Sequence, residues 1–191
     1  MKFRLLWASA VAVLVALAVG CGGSPTSATQ TGSLSVMLKD GPFGDAKALL
    51  VTFSEVSAHS SGGGWTTLPF SGGATTRTCD LKQLRNAQDV LGTGPLPAGH
   101  YTQVRLTVTS AVLYFDNPAT SGPCATSITA PAGRSASIDI PPGKIILNRE
   151  FDISTGNAAI MLLDFDGDKS IIQTGNDSYK MSPVITVVSV Q

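Results

Sequence analysis

The 191-residue sequence predicts an all-β protein, an antiparallel β-sandwich of about seven to nine short strands with at most one short helix. Two observations predict this class. Val, Thr, Ser, Gly and Pro dominate the composition, whereas strong helix formers are scarce. Short segments in which apolar and polar residues alternate recur along the chain, and turn-forming residues separate them. A closed barrel is the alternative architecture.

The first 21 residues have the pattern of a bacterial lipoprotein signal peptide. Lys2 and Arg4 precede an apolar run over residues 5–19, which has the length of a signal-peptide core and is short for a membrane span. The run leads into Leu17–Cys21, which resembles a lipobox, the motif whose cysteine becomes the lipid-bearing N-terminus of the exported protein. The alternative is an ordinary signal peptide cut nearby, which leaves Cys21 as a free thiol.

Residues 22–32 contain Gly, Ser, Thr and Pro but no charged or aromatic residue, so they are predicted to form a flexible tether. A single β-sandwich domain is expected over residues 33–191. Gly22 stands where some bacteria place Asp to retain a lipoprotein in the inner membrane. The sequence therefore favours attachment to the outer membrane of a bacterial envelope over attachment to the inner one.

The charge balance excludes one class of partner. The chain has 13 basic and 13 acidic residues, and removal of Lys2 and Arg4 with the signal peptide leaves 11 basic residues and a net charge near −2. No basic patch is present, so nucleic acid is not an expected partner. The expected partners are the membrane, through the lipid anchor, and an envelope protein or glycan.

Alternation predicts strands at residues 33–39, 49–56, 65–70, 100–115, 137–140, 145–147, 151–153, 158–165 and 179–190. The period slips by one at Ser54-Glu55, which predicts a β-bulge. Residues 92–99 are rich in Gly and Pro and are predicted to form a turn region. Residues 80–85 predict one helical turn with Asp80 as its N-cap. The segment 158–165 is almost entirely apolar, which is typical of a central strand.

Cys79 and Cys124 are the cysteines that remain after Cys21 is assigned to the lipid. Export permits a disulfide, which would close a loop of about 45 residues and contribute about 4 kcal/mol in the chain-entropy model. Cys124 lies in a long polar loop at residues 117–131, and Cys79 also lies among polar, turn-forming residues. This setting favours pairing over two separate small buried thiols.

Four segments in order, Gly32–Asp40, Leu96–Leu106, Leu163–Asp166 and Tyr179–Val184, resemble the bacterial and archaeal domain-of-unknown-function 4382 family. The resemblance spans about residues 32–189. It implies an envelope-associated β-domain, often on a lipoprotein, and it implies no reaction. A looser similarity links the sequence to transthyretin-like and carboxypeptidase-regulatory sandwiches, which are mostly non-catalytic.

Asp164, Asp166 and Asp168 form the one candidate metal site. The Asp-x-Asp-x-Asp spacing supplies three carboxylates, which are ligands that Ca²⁺ prefers, but the Gly and Glu of an EF-hand loop are missing. The alternative, which the sequence favours, is that Leu163 and Phe165 enter the core while the aspartates face solvent or cap a turn.

Trp65 and Arg105 are candidate ligand-binding residues. Trp65 follows a glycine-rich hairpin tip at residues 60–64, where an exposed ring suits a sugar, although a lone Trp at a strand start is more often in the core. Arg105 lies mid-strand, where it is expected to pair with an aspartate across the sheet or else to bind an anion. His59 and His100 belong to no zinc-binding or nucleophile motif, so no catalytic residue is predicted.

The sequence thus predicts a non-catalytic, lipid-anchored envelope module with a binding or structural role. No cofactor is expected apart from Ca²⁺ at the three aspartates. The alternatives are a Ca²⁺-stabilised adhesion or carbohydrate-binding module and, less favoured, a secreted hydrolase.

Overall fold

The computed structural model of the chain describes residues 28–41, 44, 46–140 and 144–191. The predicted signal peptide, Cys21 and the tether up to residue 27 lie outside the described residues. The first strand begins at Thr31, so residues 31 and 32 of the expected tether belong to the folded domain. Within the described ranges, no helix is long and apolar enough to cross a membrane.

The predicted all-β class is confirmed. The strands of the described residues are β1 (Thr31–Gly41), β2 (Ala48–Ser60), β3 (Trp65–Thr67), β4 (Arg77–Asp80), β5 (Asp89–Pro97), β6 (Gly99–Tyr114), β7 (Cys124–Ala125), β8 (Ser135–Asp139), β9 (Lys144–Ile153), β10 (Ala158–Asp166), β11 (Ile171–Gly175), β12 (Ser178–Met181) and β13 (Ile185–Val190). One four-residue helix, α1 (Gly167–Ser170), precedes β11. Two 3₁₀ turns cover Ser71–Gly73 and Gln83–Asn86.

The strands form two sheets that pack as a sandwich. The smaller sheet has the order β13-β10-β1-β5. The larger sheet has the order β11-β12-β8-β6-β2-β4-β7, with β3 also paired to β2 and β9 also paired to β6. One core joins the sheets, and it buries Leu38 and Phe165 from the smaller sheet against side chains such as Phe53 and Leu106 from the larger one. Burial of this apolar surface is the main force that holds the sheets together.

Two strand pairs depart from the antiparallel arrangement expected of the sandwich. Strand β1 runs parallel to β10, from the pair Ser33–Ala158 to the pair Gly41–Asp166, and β8 runs parallel to β12. The local alternation of apolar and polar residues does not show whether two strands so distant along the chain pair in a parallel or an antiparallel direction. The described strands also outnumber the seven to nine predicted, because segments as short as β4 and β7 pair without a visible period.

Strand β5 replaces most of the turn region predicted at residues 92–99. Gly92 lies opposite Val56 of the larger sheet, and a Cβ atom on Gly92 would stand 3.3 Å from the Val56 Cβ. A Cβ atom on Gly94 would stand 2.7 Å from the Pro69 Cδ. These glycines permit close packing of the layers rather than a chain reversal, which is a known use of glycine inside a strand.

Other local predictions have mixed outcomes. The β-bulge is confirmed, because the pairing of β2 with β6 shifts between Phe53 and Glu55. Strand β10 lies between β13 and β1, as expected of a central strand. The two strands expected at residues 145–147 and 151–153 are one continuous strand, β9, and the last predicted strand is divided into β12 and β13.

Asp80 does not cap the helical turn as predicted, since Lys82 is the residue before the 3₁₀ turn. The Asp80 carboxylate is buried instead. Its Oδ1 accepts hydrogen bonds from the backbone N–H groups of Leu49 (3.0 Å) and Lys82 (3.1 Å), and its Oδ2 accepts one from the Gln83 amide (3.1 Å). These bonds offset the cost of burying the carboxylate and attach the turn to β2.

Candidate functional site

The outer face of the larger sheet has two halves, and the long loop between β6 and β8 covers one of them. Ala48, Leu50 and Tyr114 form a small buried cluster on this face. Ala119 and Ile128 of the loop pack against the cluster. This half is therefore closed to ligands.

A disulfide between Cys79 and Cys124 holds the loop in place, as the sequence predicts. It joins β4 to β7, where the two cysteines are directly paired. The two arms of the loop, residues 117–120 and 129–132, enclose an open cleft of about 380 Å³. Its one amide side chain, Asn117, already donates a hydrogen bond to the Ala132 carbonyl at 2.9 Å, so the cleft offers little chemistry for recognition.

The other half of the outer face carries most of the candidate chemistry. Strands β3, β2, β6 and β9 lie side by side there, and side chains opposite one another share a face. One row across the strands consists of Trp65, His59, Gln103 and Asn148, and the next consists of Thr67, Ser57, Arg105 and Ile146. We call these eight residues, together with Glu55 and Thr107, the open face.

The open face brings together the two ligand-binding residues predicted from the sequence. The Arg105 guanidinium lies over the Trp65 ring, 4.2 Å from the ring centroid. The His59 ring lies beside the same indole, with its centroid 5.0 Å away and its plane tilted by 55°. Arg105 is the cross-strand partner of Ser57, whose side chain is fully buried. The indole is therefore held in one orientation by cation–π and aromatic contacts.

Arg105 also forms an ion pair with Glu55, so its partner is a glutamate rather than the predicted aspartate. Thr107 donates a second hydrogen bond to Glu55, at 3.5 Å. Burial alone would raise the pKa of the Glu55 carboxyl, but the hydrogen bond and positive charge of Arg105, together with the positive charge of Lys144, outweigh it and keep that pKa below its usual range. The Arg105 Nε is buried and has no hydrogen-bond partner within the described residues.

Several other polar groups of this region are also paired. The Gln103 amide donates to the Asn148 side-chain oxygen at 2.8 Å, and the His59 Nδ1 lies 3.3 Å from the Thr102 hydroxyl. His100, near the edge of the face, has its Nδ1 2.9 Å from the Asp152 carboxylate. These histidine contacts involve hydroxyl and carboxylate groups but no serine, and they do not form a serine–histidine–aspartate arrangement.

Sequence reasoning missed Glu55, His59, Gln103 and Asn148 as members of one surface. A partial signal was present, since Gln103, Arg105 and Thr107 occupy alternate positions of one strand. The neighbours of these positions depend on strand pairing across about 50 residues, which alternation alone does not encode.

The structure does not bring the three candidate metal ligands together. Asp164 forms an ion pair with Lys39 at 2.8 Å, and the Asp166 carboxylate accepts from the Lys169 ammonium at 2.6 Å. Asp168 accepts a hydrogen bond from the Gly44 N–H at 3.1 Å. No group of three acidic, histidine or cysteine side chains in the described part of the chain is arranged to hold a metal ion. The Ca²⁺ site stays a prediction that this arrangement does not favour.

Asp40 is a further unusual carboxyl group that the sequence did not single out. It is 6 % exposed at the end of β1, its Oδ1 accepts the Gly167 N–H at 3.1 Å, and its Oδ2 has no partner among the described residues. Burial raises its pKa to about 8. The Gly167 hydrogen bond and the charge of Lys82 oppose this rise, whereas the charges of Asp164 and Asp166 add to it. At neutral pH the group is mainly protonated.

The chain matches the family described as "Domain of unknown function (DUF4382)" over residues 31–183. The chain belongs to the DUF4382 family. The match begins with the first residue of β1 and ends between β12 and β13, so the DUF4382 domain contains the entire open face. No curated protein and no solved structure matched the chain.

Proposed function

We propose that this DUF4382 protein is a non-catalytic, lipid-anchored module of the bacterial envelope that binds a glycan through the open face. The observation that carries the proposal is the meeting of Trp65 and Arg105 on the uncovered half of the larger sheet. The anchoring part rests on the signal-peptide pattern that ends in Cys21.

The chemistry of the open face suits a sugar better than it suits an ion or an apolar ligand. The Arg105 guanidinium lies over one face of the Trp65 ring, so the partly exposed remainder of that ring and the His59 ring would supply surface for the C–H face of a pyranose. The Gln103 and Asn148 amides would supply donors and acceptors for hydroxyl groups. The ion pair with Glu55 neutralises Arg105 at the centre of the face, and Lys144, which lies opposite Thr107, adds one positive charge at its rim. We therefore expect a neutral glycan rather than a polyanion.

The arrangement is also organised before a ligand arrives. Arg105 is fixed between Glu55 and the Trp65 ring, and Gln103 is fixed by Asn148. Side chains that are already ordered lose less conformational entropy when a ligand binds. This property favours recognition by a surface that lacks a deep pocket.

Binding to purified envelope polysaccharide and to a panel of neutral oligosaccharides tests the proposal. We expect Trp65→Ala to weaken binding about tenfold, equivalent to about 1.4 kcal/mol, because it removes the ring that contacts the sugar. Trp65→Phe retains a ring and should retain most of the affinity.

Ile172→Ala is the matched control, since Ile172 is an exposed apolar residue on β11, away from the open face. Equal binding by Trp65→Ala and Ile172→Ala would contradict the assignment of the site. Failure of the unmodified protein to bind any glycan of the panel would contradict the ligand class.

A further inference from the structure

The outer face of the smaller sheet is uncharged over the half that lies nearest the start of β1. Its outward positions form rows across β5, β1, β10 and β13. The first three rows are Pro95, Ser33 and Ala158; then Thr93, Ser35 and Ile160; then Val90, Met37, Leu162 and Ser189. We call these ten residues, with the neighbouring Val188, the aliphatic face.

Two side chains of the aliphatic face are unusually exposed for their type. Ile160 is 45 % exposed, and Val188, the extra residue of a bulge in the β10–β13 pairing, is 49 % exposed. Two of the polar groups on this face are already paired, because the hydroxyls of Ser35 and Thr93 lie 2.7 Å apart in a hydrogen bond. Removing this surface from water therefore gains apolar burial and loses few hydrogen bonds.

Charged residues lie at the opposite end of the same sheet. Lys39 and Asp164 form the fourth row, and the Asp166–Lys169 pair follows at the end of β10. The face thus changes from aliphatic to charged in the direction in which β1 runs. The aliphatic end is the end at which the chain enters the domain from Cys21.

The distance along the chain limits where that end can lie. Nine residues lie between Cys21 and Thr31, and the ten Cα–Cα steps from one to the other span at most about 35 Å when the chain is fully extended. A lipid on Cys21 would hold the aliphatic end of the sheet within this distance of the bilayer. A link this short keeps the bilayer at a high effective concentration near the domain, so even a weak contact between the sheet and the bilayer would be formed much of the time.

We propose that the aliphatic face rests on the lipid surface, an inference that depends on the lipid anchor of the proposed function. The two sheets pack face to face, so their outer faces point in opposite directions. Contact of the smaller sheet with lipid would turn the open face of the larger sheet away from the membrane, toward envelope glycans.

A second copy of the chain fits the aliphatic face less well. A stable interface buries about 800 Å² on each partner, with a well-packed apolar centre. Ile160 and Val188 are the two large apolar residues of this face that are strongly exposed, and they are too few to form such a centre. A tethered contact with lipid needs much less area.

The test uses the full-length acylated protein bound to phosphatidylethanolamine–phosphatidylglycerol vesicles. An environment-sensitive fluorophore is attached at Thr93→Cys on the aliphatic face or at Thr67→Cys on the open face. Because Cys79 and Cys124 are bridged and Cys21 carries the lipid, the introduced thiol is the reactive one. We expect a blue shift and quenching by spin-labelled lipid at position 93 and neither at position 67.

Double substitution provides a matched pair of variants. Ile160→Ser with Val188→Ser should abolish the blue shift at position 93 while the protein still floats with the vesicles. Ile146→Ser with Ile172→Ser changes two residues outside the aliphatic face whose exposure (50 % and 49 %) is similar to that of Ile160 and Val188. This double variant should preserve the blue shift at position 93. A blue shift that survives the first pair would overturn the inference.

Two other outcomes also overturn it, and they are distinguishable. If the protein floats with vesicles but both labels report water, the face does not contact lipid, and the anchor of the proposed function stands. If the protein floats no better than Cys21→Ser, the anchor itself is absent. If the fluorophore at position 93 is shielded from water in the absence of vesicles, and light scattering gives twice the mass of one chain, the aliphatic face contacts a second copy of the chain.

Discussion

Among the described residues, Asp40 has the carboxyl group whose pKa departs furthest from its usual value. Its carboxyl has a pKa of about 8 in the folded protein, against 3.8 for the same group in the unfolded chain. Between these values the folded protein holds a proton that the unfolded chain has released, so stability falls as the pH rises from about 4 to about 8. The lowered pKa values of Glu55 and Asp166 act in the opposite direction, but at pH values near and below 4.5.

Asp40→Asn should remove this pH dependence. The amide keeps an oxygen for the Gly167 N–H but has no charge to bury, so it imitates the protonated carboxyl. We expect the free energy of unfolding in urea to fall between pH 5 and pH 9 in the unmodified protein, by at most about 1.4 kcal/mol per pH unit. The variant should show a flat profile and greater stability at pH 9.

Asp139→Asn is the control for this measurement, because Asp139 is exposed on β8. It should leave the slope against pH unchanged. A slope for Asp40→Asn equal to that of the unmodified protein would show that another group carries the pH dependence.

The Cys79–Cys124 disulfide fixes the long loop between β6 and β8 over the larger sheet. It closes a span of 45 residues and joins β4 to the two-residue strand β7, which has few other ties to the sheet. The double variant Cys79→Ala/Cys124→Ala should lose about 4 kcal/mol of unfolding free energy in the chain-entropy model. Ala48 and Leu50, which the loop covers, should become more accessible.

Urea denaturation and limited proteolysis measure these two effects. The loop at residues 117–131 should be cut first in the double variant and should resist cutting in the oxidised protein. Reduction of the unmodified protein is the control, since it breaks the same bond without any substitution. Unchanged stability and cutting in both cases would mean that packing alone holds the loop.

The elements differ in how far the sequence predicts them. Strand β6 is evident because it buries Val104, Leu106 and Val108 on one face, so its alternation is complete. Strand β5 is hidden, because Gly92 and Gly94 are used for close packing and look like turn residues. The pairing of Arg105 with Glu55 depends on a register between distant strands, which no local pattern contains.

For the molecule as a whole, the smaller sheet explains why the domain has no separable part. Its strands come from the start, the middle and the end of the chain: β1, β5, β10 and β13. No continuous segment builds either this sheet or the core that it shares with the larger sheet. Most contacts are therefore long-range, which is typical of slow folding and of cooperative unfolding.

This topology predicts one unfolding transition for both sheets. Leu38 of β1 and Leu106 of β6 are fully buried in the shared core, so Leu38→Ala and Leu106→Ala should each cost about 2–5 kcal/mol. Trp65 fluorescence reports the larger sheet, and far-ultraviolet circular dichroism reports both. Because the sheets depend on one another, Leu38→Ala should lower the midpoint seen by Trp65 as much as the midpoint seen by circular dichroism. A Trp65 transition that does not move would mean that the larger sheet is stable without the smaller one.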